Sequence, residues 1–498
     1  MNKFKASFYN FIFGSFANGF NIIIGIVMVP YYLNFFSIST YGAWLASGSI
    51  IAMVGSLESG LSFIITQKLA SDFGNKNFKK FRLNSGSGFA FILLVSIIFL
   101  SIALFLVKYI PSLVNCPENE IYNLTNALYI VSISVLFALI NSFLGVFTQV
   151  WQKTLIPNLS RNIGAIISVV FIIILLQKGF GLSSIAFGYL SREIIVFVIN
   201  FIYTTNLWKK KKINNIILDF NHFKNLFKEL LIPFIGRIAQ TILSRAHIFL
   251  IAMFISPNLS AIYDFTSKVS LTIKGFITIY SNGVFGSISL AKAEKNKSEY
   301  DILNQKIVFF LLLLIIFGFG FSFIFSYDIV KIWVGESNYF GDIMVLLIII
   351  YCITGEFLNF QNNILIVEKE YNFATYIMVS YSILFLIIST LLIQFTDLNL
   401  YSIPVSFIIS SIFAIICSGF IITKKYKIRL IQISKNSLNF LFSSFIVILI
   451  FKFLLINKNN LIYINALYAL IYIFTVLSLF YLFNKPLFIE TLNRFKIR

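Results

Sequence analysis

The chain has 498 residues, of which 58% are hydrophobic and 12% charged, with a mean hydropathy of +0.89. A soluble domain carries about 25% charged residues, so this composition excludes an ordinary soluble protein and points to a polytopic membrane protein. The formal net charge of +20 reads as the lysine- and arginine-rich loops of such a protein, not as a nucleic-acid surface.

The first stretch, MNKFKASFYNFIFGSF, is basic and then apolar, like a signal peptide. Its apolar part runs on to about residue 33 with no small-x-small cleavage site, so it reads as an uncleaved first span, 10–33. Further apolar stretches of spanning length follow at 41–66, 86–108, 121–147, 155–177, 182–206, 229–254, 260–289, 306–327, 341–366, 372–394, 399–423, 437–457 and 461–483. The expected fold class is an all-α polytopic membrane protein with about 14 transmembrane helices. With a cytoplasmic N-terminus, an even count returns the C-terminus to the same side. That side then holds Lys3, Lys5, the KNFKKFR loop, Lys209 to Lys212, the KAEKNKSEYD loop, the KKYKIR segment and the tail RFKIR. The opposite side holds Lys108, Lys178, Lys331, Lys452 and Lys458, a strong positive-inside asymmetry.

No loop is long enough to fold as a soluble domain; the longest, at 207–228, has about 20 residues. ATP-driven pumps and channels with ligand-binding domains therefore fit poorly. Cys352 and Cys417 lie in apolar spans, and with Cys116 as the third cysteine a structural disulfide is not expected. No CxxC, HExxH, Walker loop or GxSxG occurs, and two histidines make a His-built metal site improbable. No cofactor is expected beyond a coupling ion, H+ or Na+.

A faint internal repeat is visible. FIFG at 11–14 opens the first span and PFIG at 233–236 opens the seventh; Tyr41 and Tyr263 each follow the motif's glycine by 27 residues. This spacing fits two six-helix halves of the same orientation followed by two extra helices, as in secondary transporters built from parallel repeats. The expected division is an N-terminal lobe 1–206, a basic cytoplasmic linker 207–228, a C-terminal lobe 229–423, and two further helices with a basic tail in 424–498.

The segment VPYYLNFFSISTYGAWLASGSIIAMVGSLESGLSFIITQKLA (29–70) places a proline near the end of span one, a short loop, Tyr-Gly at the opening of span two, and a glycine-rich stretch before a basic loop. In this it resembles the polysaccharide transporter family, the O-antigen and capsule repeat-unit flippases of the MOP superfamily, which also contains MATE exporters and lipid II flippases. Length, span count and a six-plus-six-plus-two layout match across nearly the whole chain. The resemblance implies a V-shaped bundle of two lobes around a central cavity. It implies movement of an undecaprenyl-diphosphate-linked oligosaccharide from the inner to the outer leaflet of a bacterial cytoplasmic membrane, with membrane lipids, a polysaccharide polymerase and a chain-length regulator as partners.

The charges inside the spans are weighed on their own. On a helix through 233–255, Arg237, Gln240, Thr241, Ser244, Arg245 and His247 fall within about 160° of the circumference. A basic group at mid-bilayer costs about 2.5–3.5 kcal/mol on insertion scales, so two on one polar stripe point to a water-filled interior. Snorkelling of Arg237 to the interface and a packing role for His247 are the alternatives. In the next span, Asp264 and Lys268 are placed for an i,i+4 ion pair, with Lys268 equally a supporting contact for an anionic substrate beside Arg237, whereas Lys274 has no acid four residues away and suits an anionic ligand. Arg192 in span six lies beside Glu193, about 100° away around the helix, and reads equally as a cavity cation or as part of a packing salt bridge. A diphosphate needs such cations in place of its water shell, and a glycan needs amides, hydroxyls and aromatic faces. Asn18 and Asn21 in span one, and Glu356, Asn359 and Asn363 in span ten, supply polar stripes that serve either a cavity or interhelical hydrogen bonding. Glu58, Asp264 and Glu356 are the candidate coupling-ion carboxylates.

A MATE-type exporter of organic cations and a lipid II flippase remain open beside the polysaccharide reading. A membrane glycosyltransferase or polymerase normally displays a large outer loop with catalytic groups, and the outward loops here, 108–120 and 328–340, are short. The chain is therefore not expected to be an enzyme.

Overall fold

The computed structural model describes Gly19 and residues 23–56, 58–211, 216–283, 297–368, 370–426, 435–456 and 462–495. Asn18, Asn21, Lys212 and Lys458 lie outside the described residues. So do most of the first span and the side chain of Glu58.

Helices account for nearly all of what is described. They are α1 (Ile23–Leu33), α2 (Ile38–Ser56), α3 (Glu58–Gly74), α4 (Phe78–Leu106), the one-turn α5 (Ile110–Leu113), α6 (Ile121–Val150), α7 (Leu155–Gln177), α8 (Ser183–Lys211), α9 (Phe220–Phe254) and α10 (Pro257–Gly283). There follow α11 (Lys297–Val334), α12 (Asp342–Val367), α13 (Tyr371–Phe395), α14 (Ser402–Tyr426), α15 (Lys435–Ile456) and α16 (Ile462–Phe495). Among the described residues, nine helical stretches are long and apolar enough to cross a membrane, and α1, α15 and α16 hold shorter apolar segments. With the α2–α3 stretch and the more polar α10, each of the fourteen expected spans has its helix. Large apolar side chains such as Ile97, Phe105, Val170, Ile416, Phe442 and Phe474 stand exposed on the outer faces, as lipid-facing helices require. The protein is a multi-pass helical membrane protein.

The expected linker 207–228 is mostly helix. α8 runs on to Lys211, and α9 begins at Phe220, where the Asp219 carboxylate accepts a 2.6 Å hydrogen bond from the His222 amide. At 35 residues α9 is about 52 Å long, well beyond the hydrocarbon thickness. The sequence read the linker's high charge as loop, but charged residues with good helix propensity readily extend a span past the membrane.

Contacts between helices divide the chain into two compact units, Met1–Ala261 and Ile262–Arg498. In the first, α8 packs on α6 and α7, and α9 packs on α2, α3 and α4. An aromatic core of Phe81, Phe143, Phe147, Trp151 and Trp208 joins α4, α6 and α8. The head of α9 is tied down by polar contacts. Asn84 of α4 donates to Asp72 (2.5 Å), and its carbonyl oxygen pairs with His222 Nε2 (2.8 Å); Lys68 of α3 pairs with Glu229. Its tail is held by Asn115, whose amide donates to the Ala252 and Met253 carbonyls at 2.9 and 3.0 Å. The repeat places α9 at the head of the second half, yet these contacts place it with the first unit.

In the second unit, α12 packs on α14, α14 on α13, and α11 on α15 and α16. Phe325, Phe440, Phe451 and Tyr472 form the core that seats the last two helices. The buried Tyr472 hydroxyl donates to the Ile316 carbonyl (2.9 Å), a contact that Gly320 permits, because a methyl there would lie 2.1 Å from that hydroxyl.

Candidate functional site

Polar groups stand inside spans in both units. In the first, α9 turns Gln240, Ser244 and Arg245 outward as exposed residues, with Arg237 half-buried beside them. Arg237 Nη1 donates to Gln240 Oε1 at 2.7 Å, a contact between helix neighbours three apart that orients the guanidinium along the helix. Arg245 stands near the middle of the Phe234–Phe254 span and makes no ion pair or side-chain hydrogen bond among the described residues. His247 and Thr241 are buried, so the exposed arc is narrower than the expected stripe and leaves out the histidine.

Arg192 lies on α8 with its stem against Gly164 of α7, and its Nε is 3.7 Å from Glu193 Oε1. The adjacent pair thus comes within ion-pair range, although their Cβ directions diverge. Glu193 is also shared, accepting from the Asn141 amide of α6 at 3.2 Å. Arg192 is part of a junction between α6, α7 and α8.

In the second unit, α10 presents two lysines in different states. Lys268 Nζ lies 3.3 Å from Asp264 Oδ2, the i,i+4 pair that the spacing predicts. Lys274 crosses towards α12 instead. Its ammonium stands over the Tyr351 ring, 5.0 Å from the centroid, and against Gly355, where a methyl would lie 3.2 Å from Nζ. The neighbouring residue is Glu356, only 1% exposed, which accepts a 2.5 Å hydrogen bond from Thr278 of α10. Its other oxygen, Oε2, is buried, and the Asn359 side chain one turn on also reaches the carboxylate. Lys274 acts on this carboxylate through space, without forming an ion pair within 4 Å among the described residues. Asn363, two turns further on, donates to the Ser281 carbonyl of α10 at 3.5 Å, and Thr354 and Gln361 bond to Ser411 and Ser418 of α14. The polar stripe of α12 is therefore largely interhelical hydrogen bonding, with Glu356 set within it.

Sequence reasoning treated Lys274 and Glu356 as separate candidates, and the structure places them side by side. It missed Thr278, Tyr351 and Gly355. Only Thr278 had a legible signal, since it lies one turn from Lys274 on the same face.

The sequence matches no family model and no curated protein. Solved structures are informative. The chain is similar to an inward-facing multidrug resistance MATE family transporter of the MOP superfamily, with a TM-score of 0.67 at 11% identity over 82% of this chain and 95% of that one. It is similar to the lipid II flippase MurJ in an inward closed conformation, with a TM-score of 0.67 at 16% identity over 94% of this chain and 99% of that one. It is also similar to a MOP superfamily transporter from Pyrococcus furiosus Vc1 (DSM3638), described as having a binding pocket of reverse polarity that suggests a different function (TM-score 0.62, 12% identity, 83% and 94% covered). The fold is the one that these MATE and MurJ structures share. These neighbours are transporters and a flippase.

Proposed function

We propose that the protein is a flippase of the bacterial cytoplasmic membrane. It carries an undecaprenyl-diphosphate-linked oligosaccharide repeat unit, of O-antigen or capsule type, from the cytoplasmic to the outer leaflet by alternating access. Both termini are cytoplasmic, and an ion gradient drives the cycle through Glu58, Asp264 or Glu356. The observation that carries this reading is Arg245, an exposed cation at mid-span with no acidic partner among the described residues. Such a group is tolerated where water or an anionic ligand meets it. A diphosphate travelling with its prenyl tail in lipid supplies that anion; within the second unit, Lys274, with no ion-pair partner among the described residues, is a separate candidate cation for the cargo. Arg237 and Arg192 support it, and Lys268 serves chiefly as the counter-charge of Asp264. Asn18 and Asn21 are proposed to contact the glycan.

The test is translocation of fluorescent lipid-linked repeat units in proteoliposomes, comparing the wild-type chain with Arg245→Ala. Equal rates in the two would remove the reading. A second reading, lipid II transport, draws support from the MurJ likeness, which extends over 94% of the chain against 82% for the MATE transporter. Lipid II in the same assay distinguishes the two cargoes.

A further inference from the structure

The two lysines of α10 differ in one respect that the anionic-cargo reading leaves unexplained. Lys268 holds its acid directly; Lys274 stands beside a buried acid and does not touch it. Its ammonium rests on Tyr351 and on the bare backbone of Gly355, a place that a side chain at 355 would crowd. Cation–π contact of this kind is worth about 0.5–2 kcal/mol, enough to park an ammonium but not to lock it. Glu356 keeps one oxygen bonded to Thr278, and the Asn359 side chain of α12 also reaches the carboxylate.

We propose that Lys274 is an exchangeable counter-ion: its ammonium balances Glu356 in the empty transporter, moves to the diphosphate when cargo binds, and leaves Glu356 to take up one proton. The proposal rests on the anionic-cargo reading; a proton taken up with the cargo leaves with it, so the uptake balances charge on binding and is separate from the ion flow that drives the cycle. The electrostatic reason is simple. A carboxylate buried at this depth is tolerated only with a positive neighbour, and when that neighbour turns to another anion the cheapest remedy is a proton from solvent. The step is an ionic equilibrium: the carboxylate gains H+ from water, and no other bond forms or breaks. Among the described residues, the groups that act on Glu356 are Lys274 and Thr278 from α10 and Cys352 and Asn359 on α12; Tyr351, Tyr263 of α10 and Tyr381 of α13 lie around Cys352. None of these except Lys274 carries a positive charge, so the ammonium has no substitute among them. A sodium ion at the same place would meet that ammonium and a hydroxyl already donating to the carboxylate.

The experiment is calorimetric titration of the purified full-length chain with a citronellyl-diphosphate-linked N-acetylhexosamine. This probe is a diphosphodiester that does not itself titrate near neutral pH. Binding is measured at one pH in two buffers of different ionisation enthalpy, with and without sodium. Wild type is expected to take up about one proton per ligand, independent of sodium. Glu356→Gln should still bind, with proton uptake falling towards zero. Lys274→Gln should lose about tenfold or more in affinity, and Lys274→Arg should recover much of it. Binding by the wild type without proton uptake, uptake that persists in Glu356→Gln, or binding that needs sodium would each overturn the exchange while leaving the anionic-cargo reading intact. Failure of the wild type to bind the probe at all would overturn both.

Discussion

Lys452 of α15 reaches Asp342 at the first turn of α12, with Nζ 2.7 Å from Oδ1. The same ammonium also donates to the Phe323 carbonyl of α11 at 3.1 Å. One side chain thus ties a late helix to two helices of the second unit, and with only 12% of it exposed the contact is better shielded than a surface ion pair. Lys452→Met is expected to destabilise the protein by about 1–2 kcal/mol, more than Asp342→Asn, because Asp342 is partly exposed and also accepts a hydrogen bond from Tyr339. Thermal unfolding in detergent measures both variants, and equal melting temperatures for Lys452→Met and wild type would show the contact to be idle.

Tyr41-Gly42, the dipeptide that opens the second span, has a packing reason. A methyl on Gly42 would stand 1.8 Å from the Pro257 carbonyl oxygen, and Ser260 donates to the Gly42 carbonyl at 3.2 Å. Backbone meets backbone there, and neither side can yield cheaply. Gly42→Ala should cost at least about 1–3 kcal/mol and lower the yield of folded protein. Gly48→Ala on the same helix faces open space and should be neutral or slightly stabilising. Monodispersity and melting temperature of the two variants, compared side by side, decide the point.

The topology is testable by cysteine labelling. A cysteine at 210 should be protected from impermeant maleimide in intact cells, and one at 337 should react; the opposite pattern would reverse the orientation. The native Cys116 is not expected to interfere. Burial, with Glu120 adding to it, pushes its thiol up to about 12, so little reactive thiolate exists near neutral pH.

Arg245→Ala should reduce transport by about tenfold or more, the scale of a lost charge-assisted hydrogen bond of about 1.5–3 kcal/mol. Lys458→Ala, outside the spans, should leave it near wild type. Arg245→Lys separates charge from geometry: partial activity indicates charge alone, and activity as low as the alanine variant indicates bidentate recognition. Protein level and melting temperature are read beside polysaccharide display in a flippase-null strain. An Arg245→Ala protein that folds normally and restores full display would make this arginine an interfacial or packing residue.

Glu58→Gln is expected to weaken gradient-driven flux more than substrate binding. Proteoliposomes with and without an imposed proton or sodium gradient report this directly. If the mutant responds to the gradient as the wild type does, Glu58 has no part in coupling.

Apolar run length and loop charge by themselves determined the helical class, the number of spans and the expected orientation. These follow from transfer between water and lipid, a property each segment carries in its own composition. The i,i+4 pair of Asp264 and Lys268 was legible for a related reason, since helix geometry alone brings the two within reach. Nothing comparable announces that Lys274 lies beside Glu356, that Glu193 is shared with Asn141, or that Lys452 finds Asp342. Those meetings depend on the rotation and depth at which whole helices pack. In lipid that register is chosen by small residues, close backbone approach and scattered hydrogen bonds, because the hydrophobic effect does not distinguish one apolar face from another. The same reason explains why α9, head of the second half by its repeat, packs with the first unit: the contacts of Asn84, Glu229 and Asn115 decide its place, and they exist only once the bundle has formed.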